Sequence, residues 1–213
     1  MNEMTKKSKQ IVLGCRYHWW RGDTLPELQP LPGFVARIIR DNAFLAQLHE
    51  SNENTIQARF AESAHCYVAF LEEIAVGYGW VGTKVGHIGS ADLHWRLGEQ
   101  DRALWDFATL PHYRGRGVYP HLLQAIMQAE PAERFWIGHQ GQNKASHRGI
   151  VKAGFSLNNM TLLTFDGQIV MQPQGDLTRA MADPMLPAAK AHSQNMPEAA
   201  RQQLLQLHAH KKN

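Results

Sequence analysis

The sequence predicts an α/β fold of the α+β kind, one sheet with helices packed on it, and three observations carry this. Ala103 to Leu110 is an apolar run with β-formers that stops at Pro111, followed by a Gly-rich bend and an amphipathic helix. His65 to Leu71 and Ile74 to Val81 read as a hairpin turning at Glu72-Glu73. Glu133 to Gly138 is a short strand followed by a segment that opens on Asn143, a plausible helix N-cap, and closes on Gly154, a helix stop.

Around these, the chain divides into a polar, Lys-rich terminus over 1–10, expected to be flexible, a domain over 11–172 and a tail over 173–213. Ile11 to Trp20 predicts one strand, although Gly14 weakens it. Pro26, Pro30 and Pro32 break the chain into a loop. Phe34-Val35-x-x-Ile38-Ile39 and Phe44-Leu45-x-x-Leu48 recur at helical spacing, and a shorter helix is expected over Asn54–Ser63. Gly77 and Gly79 inside the second hairpin strand indicate a bulge or close packing. Residues 82–102 read as a long polar connection carrying His87, Asp92, His94, Trp95, Arg96 and Glu99. Met160–Phe165 and Ile169–Met171 predict a last strand pair turning at Asp166-Gly167. Met196–Leu207 predicts one helix in the tail.

Composition narrows the function. With 213 residues, 44% hydrophobic and 19% charged, the chain has the make-up of a globular protein with a substantial core. A net charge of +3 is too small to argue for nucleic acid. Two cysteines, Cys15 and Cys66, imply no disulfide framework and suit a reducing cytosol. Lys6, Lys7 and Lys9 before Ile11-Val12-Leu13-Gly14-Cys15 imitate a lipoprotein signal, but the apolar part is too short for export. No stretch approaches the ~20 apolar residues of a membrane span. The expectation is a cytoplasmic protein with no membrane or nucleic-acid partner, and no metal, since the histidines, His208 and His210 included, show no zinc-like pairing. A dimer through the tail stays open.

A Gly-rich bend opening a helix gathers free backbone N–H groups at the positive end of the helix dipole, a ready site for phosphate. The spacing is neither G-x-G-x-x-G nor followed by G-K-[ST], which excludes the dinucleotide and P-loop readings. Arg114-Gly115-Arg116-Gly117-Val118-Tyr119 resembles the Q/R-x-x-G-x-G/A signature of the GNAT superfamily of acyl-CoA-dependent N-acetyltransferases, with Tyr119 standing where that family prefers Gly or Ala. Asn143-Lys144-Ala145-Ser146-His147-Arg148-Gly149-Ile150-Val151-Lys152-Ala153-Gly154-Phe155 resembles its other recurrent segment, an Asn opening a helix that ends in Lys-x-Gly-Phe.

The resemblance implies a mixed, mostly antiparallel central sheet whose middle strands splay, flanked by helices on both faces. It implies acetyl-CoA as co-substrate, in a V-shaped gap between the strand ending near Thr109 and the one around Phe135–Gly138. Backbone groups near Phe107 and Thr109 then pair with the pantetheine amides. The N–H groups of Arg116, Gly117, Val118 and Tyr119 cradle the pyrophosphate beside Gly115. Arg114 or Arg116 adds charge, and Asn143 and Ser146 flank the pantetheine arm. The two helices after the first strand line part of the acceptor pocket. The family's usual Tyr acid falls at Ile150 here, and the Glu of enzymes acting on protein amino termini falls at Gly138.

The proton-handling groups therefore stay open. Asp106 is the only carboxylate on the central strand, on the side opposite Phe107 and Thr109 if alternation is regular. His94 and His112 titrate in a useful range, and Glu72 is a weaker candidate. We take Asp106 and His94 as the catalytic candidates. Trp105, on the face of Phe107 by the same alternation, is the candidate wall for the acceptor. The implied activity is acetyl transfer to a small-molecule amine, an amino sugar among the candidates. The alternatives are a non-catalytic acyl-CoA-binding module and an acetyltransferase acting on a protein amine.

Overall fold

A computed structural model describes residues 11–88, 93–164, 169–195 and 202. The terminus 1–10, Asp92, the Asp166-Gly167 turn, His208, His210 and, apart from Gln202, the helix expected at Met196–Leu207 lie outside the described residues.

Ten strands and six helices are described. They run β1 (Ile11–Trp20), β2 (Phe34–Ile39), α1 (Asn42–Leu48), α2 (Glu53–Ala61), β3 (Ala64–Leu71), β4 (Ile74–Gly82), β5 (Val85–Ile88), β6 (Leu93–Arg96) and β7 (Asp101–Thr109). They continue α3 (Val118–Ala129), β8 (Arg134–Gln140), α4 (Lys144–Lys152), β9 (Ser156–Leu163), β10 (Ile169–Pro173), α5 (Leu177–Met181) and α6 (Leu186–Asn195). Eight strands make one sheet in the order β10-β9-β1-β8-β7-β4-β3-β2, and β5 and β6 form a separate hairpin. Every pairing in the large sheet is antiparallel except β7 with β8.

Alternation along the strands sorts the core into two layers. Tyr67, Ala69 and Leu104 pack with Val118, Leu122 and Ile126 of α3 and Ile150 of α4. Cys66, Val68 and Trp80 face the other way, against Leu45 of α1 and Ile56 of α2. The tail covers the rest of that second face, where Met185 and Ala189 meet Trp95 and Ala103.

Two segments differ from the sequence reading. Phe34–Ile39, expected as the first turns of a helix, is edge strand β2, paired with β3 from Phe34–Leu71 to Ile39–Cys66. Val35, Ile38 and Ile39 are β-branched, and pairing with β3 outweighs an i, i+4 spacing that fits both forms. Within the expected connection 82–102, β5 pairs with β6 from Val85–Arg96 to Ile88–Leu93. Leu93 and Trp95 are buried and His94 and Arg96 exposed, an alternation of only four residues.

The far end of α3 is pinned by charge. Glu130, 3% exposed, accepts hydrogen bonds from Tyr67 Oη at 2.9 Å and Arg102 Nε at 2.8 Å, with His65 Nδ1 at 3.1 Å. Arg21 donates to the carbonyls of Met127, Glu130 and Ala132, capping the helix C-terminus. Burial raises the Glu130 carboxyl, but the bonds from His65, Arg102 and Tyr67 outweigh it and set it at about 2. A folded-state value below the unfolded one gives stability that is full above pH ~4.5 and lost as pH falls toward 2, on the order of 3 kcal/mol. Urea unfolding of Glu130→Gln is therefore expected to show lower stability at pH 7 and a shallower decline between pH 4.5 and 2 than the parent; equal declines would contradict the assignment.

Candidate functional site

The site is built where two parallel strands part. β7 and β8 pair from Asp101–Arg134 to Leu104–Ile137 and no further. At the closed end the Asp101 carboxylate accepts from Trp136 Nε1 at 2.8 Å and Arg134 Nη2 at 2.9 Å. Beyond it, β7 stays with β4 through Tyr78–Ala108 and Gly77–Thr109, while β8 stays with β1 as far as Gly14–Gln140. The facing edges of Trp105–Thr109 and Gly138–Gln140 are thereby left without each other.

A bulge shapes the β7 edge. Its register with β4 shifts between Tyr78 and Trp80, opposite Asp106, whose φ is 51°. The shift breaks the alternation assumed from sequence: Trp105 and Phe107 do not share a face. Phe107 lies in the α3 layer against Tyr119, ring centroids 5.4 Å apart. Trp105 lies in the α1/α2 layer, stacked on Trp80 at 5.7 Å. Gly79 gives the Phe107 ring its room, since a Cβ there would stand 2.0 Å from Cε1.

At the mouth of the gap the chain bends into α3. Pro111–Tyr113 is one 3-10 turn, and Arg114 Nε reaches back to the Thr109 carbonyl at 3.1 Å. Gly115 and Gly117 have φ of 79° and 85°, where a side chain is strained. Gly117 is the N-cap, with no side-chain cap bond, and a Cβ on Gly115 would meet nothing within 4 Å. The first-turn N–H groups of Val118 and Tyr119 have no intrahelical acceptor. Gly115 and Arg116 are exposed, with the Arg116 guanidinium over the Tyr113 ring at 5.3 Å, so the bend is open to a ligand.

The second segment stands beside it. Asn143 Oδ1 caps α4 by accepting from the Ser146 N–H at 3.0 Å. Tyr119, in place of the expected small residue, lays its ring on α4 where Gly149 leaves space, a Cβ there falling 2.3 Å from Cδ1. Its hydroxyl is 3.4 Å from Ser146 Oγ.

The opposite face carries the acid–base candidates. Asp106 is exposed and ion-paired with Arg59 of α2 at 2.6 Å. Arg59 also lies over Trp80 and Trp105, at 4.9 and 4.8 Å. His87 stands edge-on to Trp105 at 4.4 Å, and His94 stacks on His87 at 5.5 Å. Thus Trp105 and Asp106 are brought together, and His94 stacks on the His87 ring that meets Trp105. His112 belongs to the 3-10 turn at the mouth, and Glu72 to the β3–β4 turn.

Sequence reasoning named His87 within the connection 82–102 but missed Arg59, His49 and a trio formed by Tyr17, His139 and His147. Arg59 sits on an ordinary polar helix, and nothing in its spacing points to β7. The trio joins β1 to the successive elements β8 and α4 across 122 and 130 positions, which no local pattern reveals. Among the described residues no group of three His, Cys, Asp or Glu is arranged to hold a metal, and no helix is long and apolar enough to cross a membrane.

The model of the acetyltransferase (GNAT) family matches residues 34–155, from β2 to the Phe after the glycine that stops α4. No curated protein sequence matches the chain. Among solved structures, a GCN5-related N-acetyltransferase from Kribbella flavida is 12% identical over 79% of this chain and 62% of its own, with a TM-score of 0.47. One from Sphaerobacter thermophilus is 12% identical over 70% of this chain and 50% of its own, at 0.52. AAC(6')-Ib, in complex with ribostamycin and coenzyme A, is 21% identical over 71% of this chain and 99% of its own, at 0.50. This chain thus spans less than two thirds of the first two structures, and the likeness is one of fold.

His49 gives a check on the packing of the Trp105 face. Its ring stacks on Tyr78 at 3.6 Å, and burial takes its pKa down to about 4, against an upward pull from Asp106 that Arg59 partly offsets. It is therefore neutral at pH 7 and adds no positive charge beside Arg59. An NMR titration is expected to find the native midpoint near 4, with stability lost as pH falls from ~6.5 toward it; a midpoint near 6.5 would mean that His49 is solvated.

Proposed function

The chain belongs to the GNAT family of acetyltransferases, and we propose that it moves the acetyl group of acetyl-CoA to the amine of a small molecule by direct attack within a ternary complex. The observation that carries this is the parted pair β7 and β8 with an uncapped, glycine-bent helix start at its mouth. The gap edges offer unpaired backbone groups to the amides of an extended arm, as an added strand would. The bend offers N–H groups and dipole to a diphosphate, with Arg114 and Arg116 beside it. Both features suit coenzyme A, which supplies the activated thioester.

The acceptor comes from the other face. Trp105 is the floor there, with Arg59 and His87 over it and Asp106 alongside. An amine attacks only after losing a proton, and Asp106, exposed and next to the gap, is placed to take it. His94, one ring further out by way of His87, connects that face to solvent. Because Arg59 already pairs with Asp106, the wall is aromatic more than acidic. It favours an acceptor with one amine on a ring or sugar, whose apolar face rests on indole. The structure of AAC(6')-Ib in complex with ribostamycin is in keeping with an acceptor of that kind.

Calorimetry with acetyl-CoA, followed by coenzyme A release with a panel of small amines, tests the reading. The parent is expected to bind acetyl-CoA and to release thiol only when an amine is present. Gly117→Val, which strains the bend and covers its N–H groups, is expected to weaken acetyl-CoA binding by about tenfold or more. Unchanged affinity in that variant would contradict the assigned cradle.

Asp106→Asn keeps the positive φ that Asn tolerates and removes only the charge. It is expected to lower kcat by a factor of about 10² with acetyl-CoA affinity unchanged. Parental kcat in this variant would remove Asp106 from proton transfer.

A further inference from the structure

Acetyl transfer leaves a proton to be supplied to sulfur as well as protons to be removed from nitrogen. The sulfur departs as a thiolate unless a donor meets it, and the α3 side of the gap, where the thioester arm is expected, has its own candidate. Ile150, on the α4 turn that packs into the core, is fully buried and apolar. The hydroxyl that reaches this region comes instead from Tyr17 on β1, opposite Ile137, the last residue of β8 that pairs with β7.

Tyr17 is 1% exposed, yet its hydroxyl is held by two imidazoles, His139 Nε2 at 2.9 Å and His147 Nδ1 at 2.7 Å. His139 stands two residues past Ile137, at the parting of the strands. His147 lies in the first turn of α4, next to Ser146, and is exposed.

The bonds set a direction. His139 Nδ1 is 2.7 Å from the Gln140 carbonyl, which only accepts, so that nitrogen carries the hydrogen. With burial holding His139 toward its neutral form, its Nε2 is an acceptor and takes the Tyr17 O–H. Tyr17 oxygen then accepts from Nδ1–H of His147, whose Nε2 is left for solvent. The result is an ordered chain from an exposed ring to a buried hydroxyl.

We propose that Tyr17 protonates the departing sulfur, that His147 replaces the proton from solvent and that His139 orients the hydroxyl between turnovers; this rests on the acetyl-transfer reading above. As the C–S bond breaks, the sulfur keeps the electron pair. The Tyr17 O–H bond breaks and an S–H bond forms. Tyr17 oxygen takes the proton from Nδ1 of His147 while Nε2 of that ring gains one from water. Between ammonium and amide the nitrogen sheds two protons, one before attack and one as the tetrahedral adduct collapses; both leave through the Asp106 face to solvent, and with one returned to sulfur a single proton is released net. Protons balance, no side chain keeps a charge, and exchange with water restores the starting tautomer.

The test uses the full chain. Tyr17→Phe is expected to lower kcat at least 30-fold while the calorimetric Kd and the KM for acetyl-CoA stay within about twofold of the parent. His147→Ala, at an exposed position, is expected to give the same split; it decides the matter if Tyr17→Phe does not fold. Long-range ¹H–¹⁵N correlation on the free protein is expected to find both His139 and His147 as Nδ1–H tautomers. Parental kcat in either folded variant, a loss of kcat matched by loss of acetyl-CoA affinity, or an Nε2–H tautomer at either ring would overturn the relay. If the parent itself neither binds acetyl-CoA nor releases thiol with any amine, the acetyl-transfer reading falls and takes the relay with it. Turnover in the parent with parental kcat in the variants would overturn the relay alone.

Discussion

Everything in this molecule turns on the parting of β7 from β8 after Leu104 and Ile137. Parallel neighbours that pair for four residues and then separate leave backbone donors and acceptors facing a cleft, a cost that folding seldom accepts inside a sheet. Two opposing constraints impose it. Asp101, almost fully buried, ties Trp136 and Arg134 across the closed end. Past that clamp, each strand follows its outer neighbour: β7 goes with β4 around the Asp106 bulge, and β8 goes with β1. The exposed edges gain a partner only when something extended enters, which is why the gap reads as a binding site and not as a defect.

The other elements hold that geometry. α3 aims its open N-terminus at the mouth because its opposite end is fixed by Glu130 and Arg21 to three parts of the sheet layer. β1, which draws β8 away, is itself held on the second face. There the buried Arg16 donates twice to Asp183 of the tail, at 3.2 and 2.9 Å, and Asn158 donates to the same carboxylate at 3.1 Å. Removing one partner of such a pair strands a buried charge, at a cost of about 3–5 kcal/mol. The tail segment 173–195 is thus connected through β1 to the strand that opens the gap.

Much of this was legible in the residues. The Arg-Gly bend, the α3 stripe and the Asn143-to-Phe155 segment are local patterns in which spacing, caps and breakers agree, and the structure has a strand, a bend and two helices there. Phe34–Ile39 was misread because six residues with apolar positions at i, i+1, i+4 and i+5 fit helix and strand alike, and only pairing with β3 decides. Trp105 was placed on the wrong face because strand alternation carries no sign of a bulge; the positive φ of Asp106 is a tertiary outcome. Arg59 and the Tyr17 trio were invisible for a deeper reason. Their chemistry is made by side-chain bonds between residues 47 to 130 positions apart, and a single sequence records the residues without the contacts.

The most direct test of the central claim is a map of backbone amide shifts in the ¹⁵N-labelled chain as coenzyme A is added. The account predicts the largest changes at Gly115 to Tyr119, with a second set along Phe107 to Thr109 and at Gly138 to Gln140, the two edges of the gap. Changes confined to other surfaces, with those amides unmoved at saturation, would contradict it.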